Sequence, residues 1–202
     1  MPRAPSELHD LELVAEWFAT NDLHAQRFAD DEVSAGKTPD FRLFRNNQHV
    51  AYCEVKSPRD EWLDDKLAGA EPFQIVGGLR EDPTFNRIAG LVRKAVKQLD
   101  AVNPERRLPN IVVFVNWADA SHFHDLDETL TGYLRLSDGT KAPTMFKVSE
   151  GRMRDEKRRV DAYVWFDGSR RNVEGIFFTQ SDVLHRDAVC SWLGVDPAKI
   201  RV

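Results

Sequence analysis

Apolar residues recur at helical spacing from Ser6 to about Ala19, with Leu8, Leu11, Val14, Ala15 and Phe18 on one face, which predicts an amphipathic helix capped by Ser6 or Asp10. The stretch from Asn21 to Lys37 is polar and acidic, with a short strand expected near Glu32 to Ala35. The period then becomes that of strands. Asp40 to Arg45 and Val50 to Lys56 are rich in β-branched and aromatic residues and flank the polar turn Asn46 to His49, so they predict a hairpin. Ser57 to Glu81, with Pro58, Pro72 and Gly77-Gly78, is a long connection, either a flap over the end of the sheet or a plain surface excursion. Asp82-Pro83 opens a helix whose apolar face is Ile88, Leu91, Val92, Ala95, Val96, Leu99 and Val102. Ile111 to Val115 is continuously apolar, as in a strand buried on both faces. A short helix around Phe123, Leu126 and Leu130 follows. Strands over Val160 to Phe166 and Gly175 to Thr179 come next, then a last helix capped by Ser181 or Asp182 that carries Leu184, Ala188, Val189, Trp192 and Leu193. This order predicts an α/β or α+β fold with a central mixed sheet flanked by helices.

Composition adds bounds. At 202 residues, 42% hydrophobic and 30% charged, the chain is expected to form one soluble domain over 1–202. The N-terminal residues lack the apolar core of a signal peptide and no apolar run is long enough to span a bilayer, so the expected location is cytoplasmic, with no membrane partner. Cys53 and Cys190 are far apart, which indicates neither a zinc site nor a disulfide framework; Cys53 is expected to sit reduced against the core. A formal net charge of -5 argues against a broadly basic nucleic-acid surface and makes local patches decisive. The densest basic segment is Arg152, Arg154, Lys157, Arg158 and Arg159; as a hairpin rim it would contact phosphates, as a loop it would simply be solvated. His122, His124, Asp125, Asp127 and Glu128 read as the wet face of the short helix rather than as metal ligands.

The candidate chemistry lies on the hairpin. Alternation puts Glu54 and Lys56 on one face, and pairing of the two strands lays Asp40 close to them. Two carboxylates at a strand end can hold Mg2+, which prefers oxygen ligands and keeps several of its waters for exchange with substrate phosphate. Such an ion polarises a phosphoryl oxygen and acidifies a bound water. Lys56 is placed to orient that water or to offset charge in the transition state.

Pro39-Asp40 followed by Glu54-Val55-Lys56 resembles the signature of the PD-(D/E)XK nuclease superfamily, over roughly the first half of the chain. The resemblance implies a restriction-endonuclease-like fold, Asp40 and Glu54 as ligands of Mg2+ (or Mn2+), and Lys56 as a catalytic group. It also implies an accessory metal-site glutamate on the first helix, for which Glu12, followed by Ala15, Phe18 and Ala19, fits better than Glu16. On the helix after the motif, Lys94 and Gln98 match the positions that face the site, and together with Arg87 they line one edge of that helix. The expected activity is Mg2+-dependent hydrolysis of nucleic-acid phosphodiesters, DNA ahead of RNA, with Lys94, Gln98, Arg158 and Arg159 as nucleic-acid contacts and room for a homodimer. The alternative is an inactive module of the same fold that binds nucleic acid or a protein partner.

Overall fold

A computed structural model describes residues 6–58, 69–71, 74–76, 84–118, 121–136, 138–144, 151 and 153–199. The element order is α1 (Glu7–Ala19), β1 (His24–Arg27), α2 (Asp30–Ala35), β2 (Phe41–Arg45), β3 (Gln48–Lys56), α3 (Thr84–Val102), β4 (Asn110–Asn116), α4 (Phe123–Thr131), β5 (Tyr133–Arg135), β6 (Lys141–Pro143), α5 (Arg154–Lys157), β7 (Ala162–Asp167), β8 (Asn172–Phe178) and α6 (Val183–Trp192). Six strands form one mixed sheet in the order β1-β2-β3-β4-β7-β8, and β5-β6 make a separate ribbon. β3, β4 and β7 run parallel in the middle, while β1, β2 and β8 are antiparallel to their neighbours. The fold is therefore of the α/β class, a mixed sheet flanked by helices. Among the described residues no helix is long and apolar enough to cross a membrane.

Each strand sends alternate residues to opposite layers. Phe41, Leu43, Cys53, Val55, Ile111, Val113, Val115, Val164 and Phe166 pack with Leu11, Val14 and Phe18 of α1 and with Val189 and Cys190 of α6. The other face carries Val112, Phe114, Tyr163 and Trp165 against Ile88, Val92, Ala95 and Leu99 of α3 and Leu126 and Leu130 of α4. β4 is buried along its whole length, as a central strand covered on both faces must be. Both cysteines are free and buried.

The hairpin turns more tightly than its polar stretch implies. Asn46 and Asn47 both adopt left-handed φ values, 50° and 61°, so a two-residue turn suffices and β3 begins at Gln48. The strand expected at Glu32 to Ala35 is instead the second half of α2. Three acids occupy its first turn, where they complement the helix dipole, and Glu32 accepts the Ala29 N–H at 3.1 Å. The edge strand in this region is β1, whose short run His24–Arg27 has little apolar alternation to reveal it. Ser6 caps α1 and Asp182 caps α6, on which Val189 and Cys190 are buried while Leu184 is 80% exposed. The Asp82-Pro83 start of α3 lies outside the described residues, as does most of the Ser57 to Glu81 connection.

The basic stretch before β7 is a helical turn, α5, and not a strand rim. Lys157 donates to the Leu130 carbonyl at 2.8 Å, and the Arg159 guanidinium binds Asp100 at 2.6 Å and the Pro104 carbonyl at 2.8 Å. Two residues on, Asp161 is fully buried; it accepts from Arg106 and, at 2.8 Å, from the Asn110 N–H, tying the start of β7 to that of β4. Arg159 thus sits at the starting edge of the parallel strands, while Lys56 ends β3 at the other edge.

Candidate active site

Hairpin register decides which side chains meet. Phe41 pairs with Cys53, so Asp40, one residue before β2, falls opposite Glu54, one residue further along β3. The main chain locks this placement: the Asp40 N–H donates to Glu54 Oε2 at 3.1 Å, and the Val55 N–H donates to Asp40 Oδ2 at 2.8 Å. Glu54 and Lys56 share the α3 face, where Lys56 Nζ donates to Glu54 Oε1. Gln98 of α3 completes the frame. Its Oε1 accepts from Lys56 Nζ at 3.0 Å and its Nε2 donates to the Thr38 carbonyl at 3.1 Å, so one amide ties the end of β3 to the segment that leads into β2 and carries Asp40.

Burial sets the electrostatics. Glu54 has no exposed surface, and loss of water, followed by the nearby Asp40 charge, pushes its pKa from an ordinary 4.5 up to about 8 despite the Lys56 ammonium. Asp40 is raised as well, mainly by burial, with the Val55 N–H and Lys56 pulling the other way. The interaction between the two carboxyl groups favours the ionised form of Asp40 and the neutral form of Glu54. Two desolvated acids, one of which raises the pKa of the other through its charge, suit a cation-binding site, since a bound cation favours the ionised form of both.

The donor set fits Mg2+ or Mn2+ in kind: Asp40 and Glu54 supply hard carboxylate oxygens, and such an ion fills its other positions with waters. No group of three or more His, Cys, Asp or Glu side chains is arranged around a metal position among the described residues. Glu12 does not join the pair. It is exposed, and at about 100° per residue it lies roughly 160° around α1 from Asp10, which faces the end of the sheet. Glu16 is exposed too and binds Arg171 at 2.5 Å. The α1 acid whose charge is felt at Asp40 is Glu7, in the first turn of the helix, where it raises the Asp40 pKa.

Asp10, expected only as a cap, is a second acid of α1 at this end of the sheet. Wholly buried, it accepts from Ser57 Oγ, the residue after Lys56, and from Trp117 Nε1 at 2.7 Å. Its position on the same stripe as Leu11, Val14 and Phe18 was the available signal, because an acid among core positions needs partners. Lys94 is exposed one turn before Gln98, on the same side of α3. Arg158 is exposed beside Arg159 at the far edge of the sheet, and Arg152 lies outside the described residues.

No family model, curated protein or solved structure matches this chain.

Proposed function

We propose that the protein is a metal-dependent nuclease that hydrolyses phosphodiester bonds, DNA ahead of RNA, with Asp40, Glu54 and Lys56 as its reacting centre. The observation that carries this reading is the convergence of a desolvated Asp40–Glu54 pair with the Lys56 ammonium, which is held between Glu54 and Gln98. The motif Pro39-Asp40 with Glu54-Val55-Lys56 supports it independently, through the resemblance to the PD-(D/E)XK superfamily.

Asp40 and Glu54 would hold Mg2+ or Mn2+, which when bound supplies Lewis-acid activation of the phosphate and of a water. Lys56 carries its charge beside both carboxylates, where it can orient the attacking water and offset charge that builds on the phosphoryl oxygens. Gln98 holds Lys56 and the Thr38 carbonyl, and so acts as a positioning residue. Glu7 adds negative charge that is felt at Asp40 and is the α1 candidate for a supporting acid in place of Glu12.

The test is incubation with single- and double-stranded DNA and RNA in Mg2+, Mn2+ or chelator. Metal-dependent cleavage that is lost in both Glu54→Gln and Lys56→Met supports the reading. Binding without cleavage under every metal would favour the inactive module, and full activity in Glu54→Gln would remove the assignment.

A further inference from the structure

The face that carries Glu54 and Lys56 continues, one rung toward the hairpin turn, into a cluster of rings. Arg42 pairs with Tyr52 there, in the same alternation that pairs Asp40 with Glu54, so the two rungs are about 7 Å apart along the strands. Phe28 lies nearly parallel to Tyr52, with centroids 6.4 Å apart at 23°. His49 stands perpendicular to Tyr52 at 4.5 Å, and Phe44 follows at 5.3 Å from His49. The Arg42 guanidinium covers the Phe28 ring at 3.9 Å. Phe44, His49 and Tyr52 are half-buried, so each keeps some surface open beside the candidate site.

Charge says which part of a nucleic acid this surface suits. Arg42 is taken up by Glu32, to which it donates at 3.0 and 2.5 Å, and the exposed Asp30 and Asp31 begin the same helix. A phosphate gains little from a guanidinium already paired with a carboxylate on an acidic helix turn. Base planes need no such charge, and they stack on aromatic rings with little dependence on sequence. A base can present its plane only when it is unpaired and unstacked from its neighbours. One rung of the ladder is close to one nucleotide of an extended strand, so a phosphate at Asp40 and Glu54 leaves a neighbouring base over Tyr52.

We propose that the Tyr52 cluster is a base-stacking subsite and that the substrate of the adjacent site is single-stranded DNA. The placement of the phosphate rests on the nuclease reading; the stacking itself does not.

The full chain in EDTA, where no cleavage occurs, is titrated with a single-stranded oligonucleotide carrying 2-aminopurine and with its duplex. Quenching of the 2-aminopurine is expected on binding the single strand, with affinity about tenfold above that for the duplex, and Tyr52→Leu should lose about tenfold while Tyr52→Phe loses little. His49→Ala, checked for folding by its melting curve, gives a second reading should Tyr52→Leu fail to fold. Binding without quenching, preference for duplex, or unchanged affinity in both Tyr52→Leu and His49→Ala would overturn the subsite. Quenching with no Mg2+-dependent cleavage would leave the subsite standing and remove the nuclease reading. No binding to any nucleic acid would remove both.

Discussion

The backbone N–H of Asp40 donates to Glu54 Oε2 at 3.1 Å, so the first acid of the pair holds the second through its main chain. Changing the Asp40 side chain therefore leaves Glu54 in place. Asp40→Asn should retain the fold, since the amide oxygen can still accept from Val55, and should lose the divalent-ion response. In the wild type, Mg2+ or Mn2+ at 100 times its dissociation constant should stabilise by about 2.7 kcal/mol, a shift readable by thermal melting. The same shift in Asp40→Asn and Glu54→Gln would place the ion elsewhere.

The raised pKa of Glu54 has a definite sign for stability. Between about pH 4.5 and about 8 the folded protein keeps a proton that the unfolded chain has released, so the metal-free protein should lose stability as pH rises through that window. Asp40, raised in the same direction, adds to the trend. The expected loss is on the order of a few kcal/mol, since each unit of pKa difference is worth about 1.4 kcal/mol. Urea unfolding in EDTA across pH 5 to 8 measures it. Glu54→Gln should flatten the curve, and a slope equal to the wild type's would mean that Glu54 is ionised in the folded protein at neutral pH.

Gln98 joins Lys56 to Thr38, and its loss should separate positioning from binding. Gln98→Ala is expected to lower kcat about tenfold or more while changing Mg2+ affinity little, because neither carboxylate loses a partner. Gln98→Glu should keep the Lys56 contact and give up the one to Thr38. Equal losses in kcat and in metal affinity for Gln98→Ala would show that the residue supports the whole pocket and not Lys56 in particular.

What the sequence made legible follows from how local each signal is. The Asp40, Glu54 and Lys56 convergence needs only strand alternation and one hairpin, both encoded within 17 residues of chain, from Asp40 to Lys56. β4 and the buried stripe of α3 were equally readable, from unbroken apolarity and from helical period. The α1 acid was not. Whether Glu7, Asp10 or Glu12 faces the sheet depends on how α1 docks, a long-range fact that the amphipathic stripe constrains only if an acid is allowed onto it. The basic segment misled for a similar reason: Arg159 finds Asp100 and the Pro104 carbonyl, partners more than 50 positions away, and no local pattern announces them.

Those partners change what Arg159 is expected to do. Arg159→Ala should cost about 1–3 kcal/mol in urea unfolding, through the lost charge-assisted bonds to Asp100. It should leave the salt dependence of oligonucleotide binding unchanged, because a cation that is already paired releases few counterions from DNA. A slope reduced by about one in Arg159→Ala would restore it as a phosphate contact.

The end of β3 is fastened by a second clasp, one residue past Lys56. Asp10 accepts from Ser57 Oγ and, at 2.7 Å, from Trp117 Nε1, and Trp117 lies flat against Gly168, where an added Cβ would come within 2.5 Å of its ring. Asp10→Ala leaves two half-buried donors without a partner and should cost about 1–3 kcal/mol. Gly168→Ala should cost about 1–3 kcal/mol by pushing the indole off its seat. Since both changes undo the same Asp10–Trp117 bond, the double variant should lose less than the sum of the two, with a coupling of about 0.5 kcal/mol or more. Urea unfolding of the four proteins, followed by far-ultraviolet circular dichroism, closes the cycle. Strict additivity would mean that Gly168 does not seat Trp117 for Asp10, and that Ser57 alone holds the helix to the end of the strand.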